Sequence, residues 1–162
     1  MKNMVLLIDN NVMIDAITAR EPFWTDSSRV IRLCAEKKVK GYLAATSIPD
    51  TFYILRKDYS SKERRSILLY YANILNIVGV DEEDIMNALK NEEFTDFEDC
   101  LQVECAKAVG ADYIITRNTA DFADSPVPAV TPAGLFEPLR RVIVSRETNT
   151  SNRHVMDEQR AV

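Results

Sequence analysis

Residues 5–8, Val-Leu-Leu-Ile, are apolar without interruption and end at Asp9. A run with no polar position leaves no face for water, so it predicts a strand buried on both sides, as in a parallel sheet covered by helices. Similar runs recur at residues 42–45, 77–80 and 113–116, each short and bounded by helix-like segments. Between them the apolar positions change to helical spacing. A helix starting at Thr25 or Asp26 gathers Val30, Ile31, Leu33, Cys34 and Ala35 on one stripe and ends on Lys37-Lys38, the sign of charge its C-terminus favours. A second starts at Thr46 or Ser47, with Pro49 in the first turn, where a missing N–H costs nothing. A third runs from Ser61 to about Leu75, with Ile67, Leu68, Tyr71 and Leu75 on one side, and a fourth from Asp81 to Lys90. Thr95-Asp96-Phe97-Glu98 has the T-x-x-E spacing of a capping box, opening a fifth helix that continues to Ala108 and stops at Gly110.

Strands alternating with helices predict an α/β domain, three layers α/β/α around a central, mainly parallel sheet. After Thr116 the chain changes to Arg117-Asn118-Thr119-Ala120-Asp121-Phe122, then to a stretch holding Pro126, Pro128 and Pro132, which predicts loop with at most one short edge strand. One domain over 1–144 is expected, followed by a polar, nonperiodic and disordered tail over 145–162.

Composition changes this picture in three respects. A chain of 162 residues, 46% of them hydrophobic, suits one ordinary core rather than two. The opening MKNMVLLID is far too short to span a bilayer, so the expected place is the cytoplasm, with no membrane partner. Cys34, Cys100 and Cys105 are odd in number and lack C-x-x-C spacing, which predicts buried free thiols rather than disulfides or a zinc site. The net charge of -5 argues against binding of nucleic acid by overall charge, without excluding RNA. Local basic groups at Arg56-Lys57 and at Arg64-Arg65, with Arg117, remain candidates for phosphate contacts.

The chemistry lies in the carboxylates. Asp9 ends the first strand, and in open α/β sheets ligands bind beyond the carboxyl ends of strands. It reads equally as the cap of a helix starting at Asn10 or Asn11, and Asn11 either holds the Asp9 side chain or only stabilises the turn. Asp50 falls in the first turn of the helix after the second strand, where an acid also caps a helix. Asp96 and Asp99, three apart, share one face at the start of the fifth helix, while the capping box accounts for Glu98. Asp121 follows the last clear strand, with Asn118 beside it. Acids after several strands and at the head of one helix suit a shared pocket at one sheet edge. Crowded carboxylates stay ionised most readily around a divalent cation, and oxygen-only donors select magnesium or manganese.

This arrangement resembles the PIN-domain nucleases, particularly the toxin ribonucleases of toxin-antitoxin modules. The family opening D-x-N-x-x-x-D reads here as Asp9-Asn10-Asn11-Val12-Met13-Ile14-Asp15. The late signature reads as Asp99-Cys100-Leu101-Gln102 followed by Thr116-Arg117-Asn118-Thr119-Ala120-Asp121-Phe122. The likeness spans residues 4–136. It implies a catalytic pocket of Asp9, Asp50, Asp99 and Asp121, with Asp9, Asp99 and Asp121 on the metal and Asn11, Asp96 and Asn118 in support. It also implies Mg2+ or Mn2+ as cofactor, RNA as substrate, an antitoxin protein as partner, and room for a homodimer. Many relatives carry glutamate where Asp50 stands. Phe23 and Trp24 are candidates for the antitoxin contact, whereas Phe52 and Tyr53 are expected in the core.

Cleavage would then proceed by a metal-activated water. Imidazole chemistry is disfavoured, since the one histidine, His154, falls in the expected tail; no G-x-S-x-G, G-x-G-x-x-G or Walker loop is present. The rival readings are a noncatalytic RNA- or partner-binding module on the same fold and, less well matched, a phosphoacceptor receiver domain. The receiver wants a lysine after the last strand, where this chain has Arg117-Asn118.

Overall fold

The computed structural model describes residues 3–137 and 139. Five strands form one parallel sheet: β1 (Val5–Ile8), β2 (Lys40–Ala44), β3 (Asn76–Val78), β4 (Tyr113–Ile115) and β5 (Ala129–Val130). Six α-helices accompany them among the described residues: α1 (Asn10–Thr18), α2 (Trp24–Ala35), α3 (Ser47–Ile54), α4 (Ser61–Ala72), α5 (Glu82–Lys90) and α6 (Phe97–Val109). This is the expected α/β/α architecture. The second strand starts two residues earlier than its apolar run, at Lys40, and β3 covers 76–78 rather than 77–80, because pairing partners rather than hydrophobicity set where a ladder begins. The short edge strand of the proline-rich stretch is β5, paired to β4. No described helix is long and apolar enough to cross a membrane.

The strand order β3-β2-β1-β4-β5 determines where a site can form. The chain moves outward from β1 to β2 to β3, then crosses back to β4 on the other side of β1. With right-handed crossovers, the helices between β1 and β3 cover one face, and α5 and α6 cover the other. The direction of winding therefore reverses between β1 and β4, and the crevice at their carboxyl ends is the switch point where such sheets bind ligands. Every residue of β1 is buried, as its position at the centre of the sheet demands. On one side Leu7, Ala44, Val103, Cys105, Ala106, Ile114 and Phe122 form a single apolar cluster that seats α6 on the sheet. Cys34, Cys100 and Cys105 are buried free thiols, as expected.

α4 starts at Ser61 as expected, capped by Ser60 through a reciprocal capping box with Glu63. The Thr95 capping box does not form. Asp96 is itself the cap of α6, its Oδ1 accepting the N–H groups of Glu98 and Asp99, because an aspartate one residue later offers the same acceptor closer to the orphan amides. α6 ends on Gly110 in the left-handed conformation, φ 61°. The chain parts into two compact units, the first ending at Pro132 and the second starting at Ala133. In the second, a 3-10 turn spans Ala133–Leu135. The expected domain end at 144 and the tail 145–162 lie outside the described residues.

Candidate active site

Asp9 follows directly on β1, its backbone N–H donating to the carbonyl of Ile115 at 2.9 Å, so β1 and β4 together anchor it. It occupies the cap position of α1, yet its side chain does not cap the helix. Instead Oδ2 accepts from the Thr116 hydroxyl at 2.7 Å and from Asn11 Nδ2 at 2.6 Å, and Oδ1 accepts from Gln102 Nε2 at 2.8 Å. Three elements thus converge on one carboxylate that is only 8% exposed. Burial raises its pKa. The Thr116 hydroxyl opposes that first, then the amides of Asn10 and Asn11, then the charge of Arg117.

The remaining acids gather at the head of α6 and beyond β4. Asp99 is half-buried in the first turn of α6, and its pKa is pushed up to about 7: by burial first, then by the negative charges of Asp96, Asp9, Asp121 and Glu98 in that order. Asp121 is exposed in a 3-10 turn, Thr119–Phe122, after β4. Asp50 lies in the first turn of α3 and acts on Glu98, whose pKa is raised by partial desolvation, then by Asp50 and Asp96. Glu98, set aside above as a capping residue, therefore stands between Asp50 and the α6 acids. Asn118 donates its backbone N–H to Thr116 Oγ1 at 3.0 Å.

Sequence reasoning placed Gln102 and Thr116 within the late signature but gave neither a role in the site. Thr116 read as the end of a strand, but it binds Asp9, Asn11 and Asn118 at once. Gln102 is a polar residue in the apolar stretch of α6, three positions after Asp99 and hence on the same helical face; that contrast was the available signal. Arg117 was a candidate phosphate contact, but its Nε lies 3.0 Å from Oδ2 of the fully buried Asp15 and its guanidinium stacks 4.6 Å over Phe23. The contact is one of charge, without an aligned hydrogen bond to either Asp15 oxygen. Burial raises the Asp15 pKa, with Arg117 and then Arg20 opposing it.

The other basic candidates cluster on α3, the turn after it and α4. Arg56 lies 3.5 Å over the Tyr53 ring, and Arg64 and Arg65 lie 4.1 and 5.6 Å over Phe52. Lys57 is exposed beside them. Tyr53 does not enter the core as expected: it is 62% exposed, because α3 turns it outward to meet Arg56. Phe52 is half-buried and lines an open apolar groove of about 670 Å³ with Ile48, Pro49, Leu68, Leu69 and Ile77, Arg65 standing on its rim.

The donor chemistry of the acidic pocket fits a hard divalent cation, since it offers oxygens alone. As the side chains stand, no three acidic, histidine or cysteine groups among the described residues converge on one point. Asp99 and Asp121 carry none of the three side-chain bonds that hold Asp9.

A parallel sheet with acids gathered at the switch point between β1 and β4 defines an open α/β domain whose ligand crevice lies at the carboxyl ends of its strands. The PIN domain family model matches residues 5–120. The chain belongs to the PIN domain family. No curated protein matches it. Among solved structures it is similar to VapBC2 of Rickettsia felis bound to a promoter DNA fragment, with TM-score 0.60 and 15% identity over 79% of this chain and 98% of that one. It is similar to a toxin-antitoxin complex of Klebsiella pneumoniae, with TM-score 0.58 and 24% identity over 78% and 97%. It is also similar to the sarcin-ricin loop cleaving toxin VapC20 of Mycobacterium tuberculosis, with TM-score 0.53 and 11% identity over 67% and 86%. At these identities the likeness is one of fold.

Proposed function

We propose that this protein is a metal-dependent endoribonuclease that hydrolyses RNA phosphodiester bonds as the toxin of a toxin-antitoxin pair. The observation that carries the reading is the crowding of Asp99 by Asp96, Asp9 and Asp121 at the switch point of a PIN-domain sheet. Carboxylates crowded in this way are most readily kept ionised by a bound cation. Asp9, Asp99 and Asp121 would hold Mg2+ or Mn2+, with Asp50 completing the acidic set through Glu98. The bound cation would supply an activated water and neutralise charge on the phosphate.

The protein's own part is orientation. Thr116, Asn11 and Gln102 hold the Asp9 carboxylate in a fixed orientation, and Arg56, Lys57, Arg64 and Arg65 offer phosphate contacts away from the acids. The toxin complexes among the similar folds support an antitoxin partner, and the apolar groove beside Phe52 and Arg65, like exposed Phe23 and Trp24, would suit one. The test is cleavage of a mixed RNA set with magnesium or manganese, with and without chelator. Wild type should cleave; chelation, Asp9→Asn or Asp99→Asn should abolish cleavage.

The absence of a ready three-acid group among the described residues favours, as second reading, a module that binds RNA or a protein without cutting. RNA binding that survives chelation, with no cleavage by wild type, would establish it.

A further inference from the structure

Asp15 is a buried acid that the proposed chemistry does not use. It is fully buried in α1, and neither carboxylate oxygen has a hydrogen bond among the described residues. Its charge is met by Arg117 Nε at 3.0 Å and, more weakly, by Arg20. A buried ion pair without aligned hydrogen bonds is a poor stabiliser; apolar side chains of similar volume in its place are often neutral or better. Stability therefore does not account for this pair, and its position suggests what does. Arg117 lies between Thr116, which binds Asp9, and Asn118, whose N–H binds Thr116. The Arg117 backbone N–H donates to Asn11 Oδ1 at 3.3 Å, and its guanidinium lies against Phe23 just before α2. The side chain thus ties the segment after β4 to α1 and to the connection between α1 and α2.

We propose that Asp15 and Arg117 are a positioning pair that holds the 116–121 segment in register against Asp9 and Asp99. The proposal rests on the nuclease reading for its catalytic consequence, but its structural consequence stands apart from activity. Releasing the pair frees Thr116 and Asp121 to shift, and displacements of about 1 Å near reacting groups lower rates by on the order of a hundredfold. Arg117 acts here through Thr116 and the turn that carries Asp121, so it is turned inward rather than toward RNA.

The experiment compares wild type, the apolar swap Asp15→Leu/Arg117→Met, and Arg117→Lys. Each is measured by thermal melting, by hydrogen exchange of the 116–121 amides against those of β1, and by kcat and KM on RNA with manganese. The swap should melt at or above the wild-type temperature, yet exchange about tenfold faster across 116–121 alone and lose about a hundredfold in kcat with KM little changed. Arg117→Lys, which keeps the charge, should recover part of both losses. Wild-type exchange in that segment together with wild-type kcat in the swap would overturn the proposal. If wild type cleaves no RNA while exchange still rises in the swap, the pair is a latch and the nuclease reading fails instead. Should the swap not fold, Asp15→Asn, which removes the charge and keeps the shape, carries the comparison: faster segment exchange supports the latch, and unchanged exchange rejects it.

Discussion

The Thr116 hydroxyl donates to Asp9 Oδ2 at 2.7 Å, joining the residue after β4 to the residue after β1. Both strands end at the point where the sheet reverses its direction of winding, so one short bond spans the crevice in which ligands of such folds bind.

Removing that hydroxyl leaves a buried carboxylate one donor short. Thr116→Val keeps the shape of the side chain and should destabilise the fold by about 1–3 kcal/mol at neutral pH, read from urea unfolding. The lost bond stabilises the ionised form of Asp9, so the deficit should be full at high pH and shrink as pH falls through the raised pKa of Asp9. A deficit independent of pH would point to packing instead.

Gln102 governs the other oxygen of Asp9. Gln102→Leu removes the 2.8 Å amide bond and also an orphaned carbonyl, since Gln102 Oε1 is buried with no partner. Stability should change little, while manganese affinity, measured by calorimetry, should weaken by roughly 10–100-fold as the carboxylate loses its fixed orientation.

Asp99 sets a pH dependence of the opposite sign from an ordinary surface carboxylate. Its folded pKa, about 7, exceeds its ordinary value of 3.8, so the folded state holds the proton more tightly and stability falls as pH rises through that window. Asp99→Asn removes the fall. Partial exposure screens the repulsion, so at pH 8 the variant should melt about 3 °C above wild type, and the gap should close by pH 4. Added manganese should raise the wild-type melting temperature at pH 8 and leave the variant behind. Asp96→Asn keeps the helix cap, because asparagine caps as well as aspartate, and should lower the Asp99 pKa in a carboxyl titration by NMR.

Gly41 tests the packing beneath β2. A Cβ there would meet Cys34 Sγ and Leu75 Cδ2, each at 2.6 Å. Gly41→Ala should therefore cost about 1–3 kcal/mol through overpacking, visible as a lower urea midpoint with unchanged slope.

Much of this architecture was legible in the order of residues. An apolar run such as Val5–Ile8 has one stable setting, the middle of a covered sheet, and Gly110 ends α6 in the left-handed conformation that glycine adopts most cheaply. Asp9, Asp99 and Asp121 stood out because a carboxylate after a buried strand or at a helix head needs a reason. The roles of Glu98, Asp15 and Tyr53 did not stand out. Each depends on a partner far along the chain or on which way a helix faces: Asp50 for Glu98, Arg117 for Asp15, and for Tyr53 the outward turn that leaves it against Arg56.

Hydrophobic periodicity, caps and turn residues act over a few positions, so the chain alone determined its α/β class, the starts of its helices within a residue or two, and the acids available for chemistry. Strand order, and with it the meeting of Asp9, Gln102 and Thr116, was decided only by tertiary packing. Apolar parallel strands are nearly interchangeable in local pattern, and a hydrogen bond spanning 107 residues leaves no mark on either neighbourhood.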